Sequence, residues 1–513
     1  MSPIDLEIYW NRLIAITDEA GAALKRTSFS TVVRESNDFA CVLLDTEARL
    51  VAQSSLSIPG FIGTAPLSLA GMLKVFPRES LAPGDILFTN DPWVGTGHLP
   101  DATMAAPIFL RGRLIAFAIA VAHLSDVGGR QWSADAGELF EEGIRFPVIK
   151  YAEAGRVNPL VQSLLEANTR LPQQVKGDLE AQMGALRVAE RRLTEMLDEY
   201  GLDGIDEIAA GIFRASEEAA LRELRNIPPG VYHGGVDSDG WDEPVRIRAT
   251  ITVTPAGVTV DYSGSTAQVR YGINETYNHT YAYTIYPFKC LLSPGIPNND
   301  GFTRLFKVIA PEGTIVNARH PAAVGARHLI GHQLQAAVFE ALSGVLPERV
   351  QADSGTPLWS VLLRGIDTAR GTSFSTILFF NGGMGAMRGR DGPPAAGFPA
   401  NISNTPVEVA ETLAPVVFGA KRLADDSGGA GAQVGGMGQV VSMRSRWPGR
   451  MRVSLLTDRT RIPAKGILGG APGRTGHVRV NGADVPNPKG VIDLAEGDLL
   501  ELALPGGGGY GAA

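Results

Sequence analysis

Two apolar runs joined by a three-residue link limit the folds open to this chain more than any other feature. Ala105-Ala106-Pro107-Ile108-Phe109-Leu110 and Leu114-Ile115-Ala116-Phe117-Ala118-Ile119-Ala120-Val121 flank Arg111-Gly112-Arg113. Neither run alternates apolar with polar residues, so each predicts a strand covered on both faces. The Gly-containing link predicts a hairpin, which makes the two strands neighbours at the centre of a first domain's sheet. A second pair, Asp38 to Asp45 and Leu50-Val51-Ala52-Gln53 across Thr46-Glu47-Ala48-Arg49, predicts two further strands.

Helical signals surround these strands. Over residues 1–26, Leu6, Trp10, Leu13, Ile14 and Ile16 recur at roughly helical spacing. From Asn158 to Tyr200 the composition is helical, with Gly177-Asp178 opening the segment Leu179 to Leu197 and Gly201 as its stop. Ile227-Pro228-Pro229-Gly230 then marks a boundary. It separates an N-terminal α/β domain, 1–226, with a helical segment near 158–225, from a mixed sheet-rich region, 227–513, with room for two subdomains. In that region Val245 to Thr254 and Gly257 to Tyr262 alternate like antiparallel strands, and a helix is expected near His328 to Leu342. The last 150 residues read as Gly-punctuated strands. A chain of 513 residues fits two or three cores. The expected class is α/β in the broad sense (mixed α+β), multi-domain and sheet-rich.

Composition removes several functions. An apolar share of 44% with 19% charged residues excludes a largely disordered chain. A net charge of −8, spread without long runs, is a poor match to nucleic acid or anionic lipid. The longest apolar run, Leu114 to Ala122, is far shorter than the ~20 residues that span a bilayer. The N-terminus lacks a basic n-region and an apolar h-region, which predicts a cytoplasmic protein. Cys41 and Cys290 cannot form a disulfide framework, and no CxxC is present to hold zinc. Walker A, HExxH and GxSxG signatures are absent. Gly506-Gly507-Gly508-Gly509-Tyr510-Gly511 satisfies GxGxxG literally, but no helix follows to supply an N-terminal dipole. Any ATP chemistry must come from elsewhere.

Two His-x-x-Asp pairs stand out. His98-Leu99-Pro100-Asp101 precedes the first strand of the hairpin, and His123-Leu124-Ser125-Asp126 follows the second. Antiparallel neighbours bring both to one edge of the sheet, and Asp38 opens another apolar strand. Two imidazoles with carboxylates suit a borderline divalent ion, Zn²⁺ or Mn²⁺ ahead of Fe²⁺, with a position left open for water. Asp126 and Glu142 are candidates to orient a ligand His or to act as general base, against the plainer readings of loop capping and surface exposure. His328 and His332, four apart on an expected helix, offer a second metal site, although a solvated or core pair is the better reading. Arg34-Glu35 beside Asp38 are candidates to support the site. Asp425-Asp426 is read as a turn.

The chain resembles the hydantoinase B/oxoprolinase family nearly end to end. The resemblance rests on Lys25-Arg26-Thr27-Ser28-Phe29-Ser30, Arg34-Glu35-Ser36-Asn37-Asp38-Phe39-Ala40-Cys41, Asn90-Asp91-Pro92, His98-Leu99-Pro100-Asp101 and Asp126-Val127-Gly128-Gly129. It continues through Gly177-Asp178-Leu179-Glu180-Ala181-Gln182, Asp261-Tyr262-Ser263-Gly264-Ser265, Gly469-Gly470-Ala471-Pro472-Gly473 and the C-terminal glycines. It implies one divalent metal ion held by Asp38, His98, Asp101 and His123. It implies an ATP-binding hydantoinase A-type partner subunit that carries ATP and Mg²⁺ and phosphorylates a cyclic amide, so that the chain works within a hetero-oligomer. The reaction implied is opening of a hydantoin, 5-oxoproline or related lactam by a water the ion activates. A subunit of an acetone/acetophenone-type carboxylase and a non-catalytic scaffold are the alternatives. Two departures from the family pattern are visible: Gly95-Thr96-Gly97 replaces Gly-Gly-Thr, and Leu124 replaces a second adjacent histidine.

Overall fold

Seven antiparallel strands carry the candidate site. They are β1 (Phe39–Leu44), β2 (Leu50–Gln53), β3 (Ile86–Thr89), β4 (Asp101–Leu110), β5 (Arg113–His123), β6 (Ile149–Glu153) and β7 (Arg156–Val157), in the spatial order β2-β1-β5-β4-β3-β6-β7. The structure, a computed structural model, describes residues 1–130, 132–367 and 372–513. The β4–β5 hairpin turns on Arg111 and Gly112, with φ of 51° and 81°. Two positive φ values in a two-residue turn match the right-handed twist of the strands on either side.

Both faces of the sheet are covered, as the unbroken apolar runs require. Phe39, Cys41 and Leu43 pack with Leu13 and Leu24 of the helix Pro3–Thr27 and with Leu179 and Leu186 of the helix Pro172–Glu199. Ala40, Val42 and Leu44 point the other way, onto Phe61, Ile62 and Leu69 of the helix Pro59–Val75. Period-two alternation splits one strand between two cores.

The helical segment differs from the sequence expectation. It forms three helices, Pro159–Asn168, Pro172–Glu199 and Asp206–Leu224, and the second runs through Gly177 instead of opening there. Gly177 is a contact residue: a Cβ at this position would lie 2.3 Å from the Phe29 ring. The neighbouring Asp178 accepts hydrogen bonds from the Phe29 and Ser30 amides, so the pair fastens the chain leaving the first helix. Gly201 does end the helix, with φ 65° and a Leu202 N–H to Leu197 carbonyl bond of 2.8 Å, the hydrogen bond of a Schellman cap.

Beyond residue 229, strands Gly230–Ser238, Val245–Thr254, Gly257–Asp261 and Phe306–Ile309 form a four-stranded sheet whose last pairing is parallel. The helices Tyr277–Leu292 and Leu334–Leu342 pack with it, while His328–Gly331 is a separate single turn instead of the start of one longer helix. The apolar core continues from the first sheet into this region. Gly63 sits so close to Ala282 that a Cβ would approach its neighbour's to 2.6 Å. Two further sheets, of four and five strands, enclose a core around Trp359, Met443, Val453 and Leu502.

The C-terminal glycines form a backbone column. Cβ atoms at Gly506, Gly507, Gly508 and Gly509 would lie 1.9 to 2.2 Å from the carbonyl oxygens of Ser427, Met384, Lys465 and Ala430. Only glycine lets four chains approach this closely. The run is a packing device, in keeping with its failure as a nucleotide motif.

Candidate metal centre

Strand register assembles the site. Asp101 of β4 lies opposite His123 of β5, and Phe39 of β1 lies opposite Ala122, so Asp38 falls beside His123. The His123 N–H donates to the Asp38 carbonyl at 3.2 Å, and the Leu124 N–H to the Pro100 carbonyl at 2.7 Å, tying the two His-x-x-Asp loops together. His98 reaches the same point from the loop before β4. The Nε2 of His98 is 2.8 Å and the Nδ1 of His123 is 3.1 Å from one oxygen, Asp101 Oδ1. Among the described residues these three are the only group of metal-ligand type whose atoms converge within 4.8 Å. Asp38 Oδ2 stands at the rim of the cluster, 3.9 Å from His123 Nδ1.

Hydrogen bonding fixes which atoms are free. His98 Nδ1 is 2.8 Å from the Gly325 carbonyl and must carry the proton, which leaves Nε2 a lone pair. That lone pair faces a carboxylate oxygen, another acceptor. Burial, with the charge of Arg327, pushes His98 down to about 4 against the pull of Asp101, and so favours the neutral ring. The buried Nε2 atoms of His98 and His123 have no hydrogen-bond partner, and His98 Nε2 stands 2.8 Å from a carboxylate oxygen. The donor set therefore fits a divalent ion.

The surroundings orient each ligand. Asp101 Oδ2 is occupied by Arg327 Nη2 at 2.5 Å and by the Thr96 hydroxyl, which leaves Oδ1 for the cluster. Burial works to raise Asp101, but His98 and Arg327 hold its carboxyl well below the usual range. Gly97, at φ 107°, clears the path of Arg327; a Cβ there would lie 2.6 Å from its Cδ. Glu142 is buried and acts two bonds away from His98. Its Oε1 accepts from the Val324 and Gly325 amides at 2.8 and 2.7 Å and so sets the carbonyl that His98 Nδ1 meets. Burial pushes Glu142 up to about 8. Asp38 rises to about 7, chiefly through burial, against the pull of His123 and with the push of Asp101.

Asp126 stands apart from this cluster. Its Oδ1 accepts from the Gly128 amide at 2.9 Å and from Arg170 Nη1 at 3.1 Å, and its Oδ2 accepts from the Arg170 amide. Both oxygens are spent on fastening the loop, and Asp126 is absent from the wall of the site's cavity. Arg34 is exposed and pairs with Glu35 at 4.0 Å, also outside that wall. Asp426, with φ 53°, sits in a turn as expected.

A cavity of about 30 Å³, room for about two waters, joins the cluster to residues from much later in the chain. Its wall includes Asp38, His98, Asp101, His123 and Trp132 from one side, and His279, Tyr283, Arg327, His328 and His332 from the other. His328 and His332 are buried, 5.5 Å apart between ring centres, and do not converge as a second metal group. Burial and Arg327 hold His332 down to about 3. His279 escaped the sequence reading. Glu275, just before the N-cap of the helix Tyr277–Leu292, and His279 in its first turn are four residues apart, a spacing that could have marked them.

Fold and site together define a multidomain α/β protein with a buried imidazole–carboxylate cluster of metal-ligand composition. The chain belongs to the hydantoinase B/oxoprolinase family, whose model matches residues 2–513. An uncharacterised protein of Methanocaldococcus jannaschii is 31% identical over 525 residues, covering all of this chain and 91% of that one. Caprolactamase subunit beta of Pseudomonas jessenii is 29% identical over 536 residues, again covering all of this chain and 91% of its own. The crystal structure of the ATP-dependent caprolactamase from that organism superposes with a TM-score of 0.92 at 27% identity, covering 100% of this chain and 91% of that one. Nucleotide-free acetone carboxylase shares the fold, with a TM-score of 0.86 at 19% identity over 99% of this chain and 76% of its own.

Proposed function

We propose that this chain is the metal-dependent, ring-opening subunit of an ATP-dependent cyclic amidase. Its substrate class is a hydantoin, 5-oxoproline or related lactam, phosphorylated on the amide oxygen by an ATP-binding partner subunit. The observation that carries the reading is the convergence of His98 Nε2 and His123 Nδ1, at 2.8 and 3.1 Å, on the one buried oxygen Asp101 Oδ1. Membership of the hydantoinase B/oxoprolinase family supports it, as does the likeness to a caprolactamase named as a beta subunit.

Asp38, His98, Asp101 and His123 would hold one divalent ion. Such an ion supplies Lewis acidity, lowering the pKa of a water or polarising a carbonyl. The chain's other residues position and shield. Arg327 and Thr96 fix Asp101, Glu142 and Gly325 fix the His98 ring, and Trp132 and Tyr283 line the cavity beside the ligands. Amide resonance makes an unstrained lactam a poor electrophile. The sequence carries no phosphate-cradling loop, so activation falls to the partner.

Elemental analysis of the purified chain should find about one divalent ion, and His98→Ala should lose it. Equal metal in both would reject the ligand set. The complex with its ATP-binding partner should consume ATP and open a lactam in parallel. ATP turnover that depends on bicarbonate and a ketone would select a carboxylase, and metal-free wild type would select a scaffold.

A further inference from the structure

The cavity that meets the ligand cluster also receives an imidazole already set for proton transfer. His279 Nδ1 lies 2.8 Å from both carboxyl oxygens of Glu275, a fully buried residue one turn earlier in the chain. With Glu275 ionised, that contact places the His279 proton on Nδ1 and leaves Nε2 a lone pair. Burial pushes the Glu275 carboxyl well above its usual range, against the charge of Arg327 and the Gly331 and Thr276 amides that donate to it. The ring lines the same cavity as His98 and Asp101.

The pair is built in, at the expense of side chains elsewhere. A Cβ at Gly331 would lie 2.3 Å from Glu275 Oε1 and 2.7 Å from His279 Nδ1, and a Cβ at Gly60 would lie 3.5 Å from His279 Nε2. The Tyr283 ring braces the imidazole at 4.7 Å between centres. Burial first, then the charge of Arg327, holds His279 well below its ordinary value, so the resting ring is neutral. An imidazole whose distal nitrogen is anchored by a carboxylate is the arrangement of a general base. Asp126, with both oxygens engaged, cannot fill that role.

We propose that Glu275 and His279 form the proton-transfer pair of this site, with His279 Nε2 as the exchanging atom. The inference rests on the ring-opening reading and adds to it the route of the protons. As a water's oxygen bonds to the activated carbon, its proton passes to Nε2, and the imidazolium is held by Glu275. Nε2 returns that proton to the ring nitrogen, and the C–N bond breaks with its electron pair on nitrogen. The new hydroxyl gives its proton to Nε2 as the carbonyl re-forms, and the ring then releases it to solvent. The products are an amine and an acyl phosphate, and a second water removes the phosphoryl group. No oxidant or reductant is needed.

The test uses the complex with its ATP-binding partner and three variants, His279→Gln, His279→Gly and Glu275→Gln. Each should keep its metal while kcat for lactam opening falls by about a hundredfold or more, with KM within about threefold. Added imidazole should restore part of the His279→Gly activity, which a merely structural role would not allow. ¹⁵N-histidine NMR of the chain should show His279 protonated at Nδ1 and bare at Nε2, with that pattern lost in Glu275→Gln. Lactam opening within twofold of wild type in His279→Gln would overturn the proposal, as would an Nε2–H tautomer or loss of metal with His279. The NMR measurement needs no substrate and the metal analysis of His98→Ala needs no turnover, so failure of the pair and failure of the ring-opening reading are told apart.

Discussion

Single residues decide whether Asp101 can serve as a ligand. Gly97→Ala would push a methyl into the Arg327 side chain and force a non-glycine residue to φ 107°. Displacing Arg327 frees Asp101 Oδ2, so metal affinity should weaken about ten- to a hundredfold, as read by competition with a chelator, with the fold retained. Glu142 gives a pH signature. Its folded value, about 8, is above the unfolded 4.5, so the folded state binds the extra proton between them. Stability from this group is complete below about 4.5 and lost as pH rises toward 8. Glu142→Gln, which stays neutral, should flatten the fall in stability by up to about 1.4 kcal/mol per pH unit in that window, measured by urea unfolding. Spacing around two recognisable strands marks the pairs His98/Asp101 and His123/Asp126, whereas the set Asp38, His98, Asp101 and His123 rests on the family resemblance. Asp126 could not be sorted from them, since its partner Arg170 lies 44 residues away and nothing local announces the pair.

At the scale of elements, the hairpin was the legible part. Unbroken apolar runs demanded cover on both faces, and the helices Pro3–Thr27 and Pro172–Glu199 on one side and Pro59–Val75 on the other supply it. Gly177 shows where local reading fails. Glycine is a poor helix former, which makes a helix start there reasonable, yet packing overrides propensity. Replacing Gly177 by alanine should gain about 1 kcal/mol in helix propensity. The added methyl would overlap the Phe29 ring at 2.3 Å, and overpacking of this kind costs about 1 to 3 kcal/mol. The expected net effect is destabilisation. A melting temperature equal to or above wild type would show that Phe29 swings aside freely.

Over the whole molecule, the site is assembled from stretches far apart in the chain. Its first wall comes from residues 38–132 and its second from residues 279–332 together with Leu358 and Ile402. That division explains why His279 and Glu275 were missed: their meaning depends on a helix packed against Pro59–Val75, not on neighbours in the chain. The glycine column is the second global feature. Gly508→Ala would place a methyl 2.0 Å from the Lys465 carbonyl, and the protein should melt at a clearly lower temperature or fail to accumulate in soluble form. The column also sets an order of assembly. Gly507 and Gly508 donate to Gly436 and Asp353, pairings that span long stretches of chain and close slowly, whereas β4 and β5 meet through a two-residue turn. The first sheet can thus mature while the later regions are still unpaired. Since Gly325 and Arg327 must arrive before His98 and Asp101 are aimed, ion uptake during refolding should lag behind hydrogen-exchange protection of that hairpin.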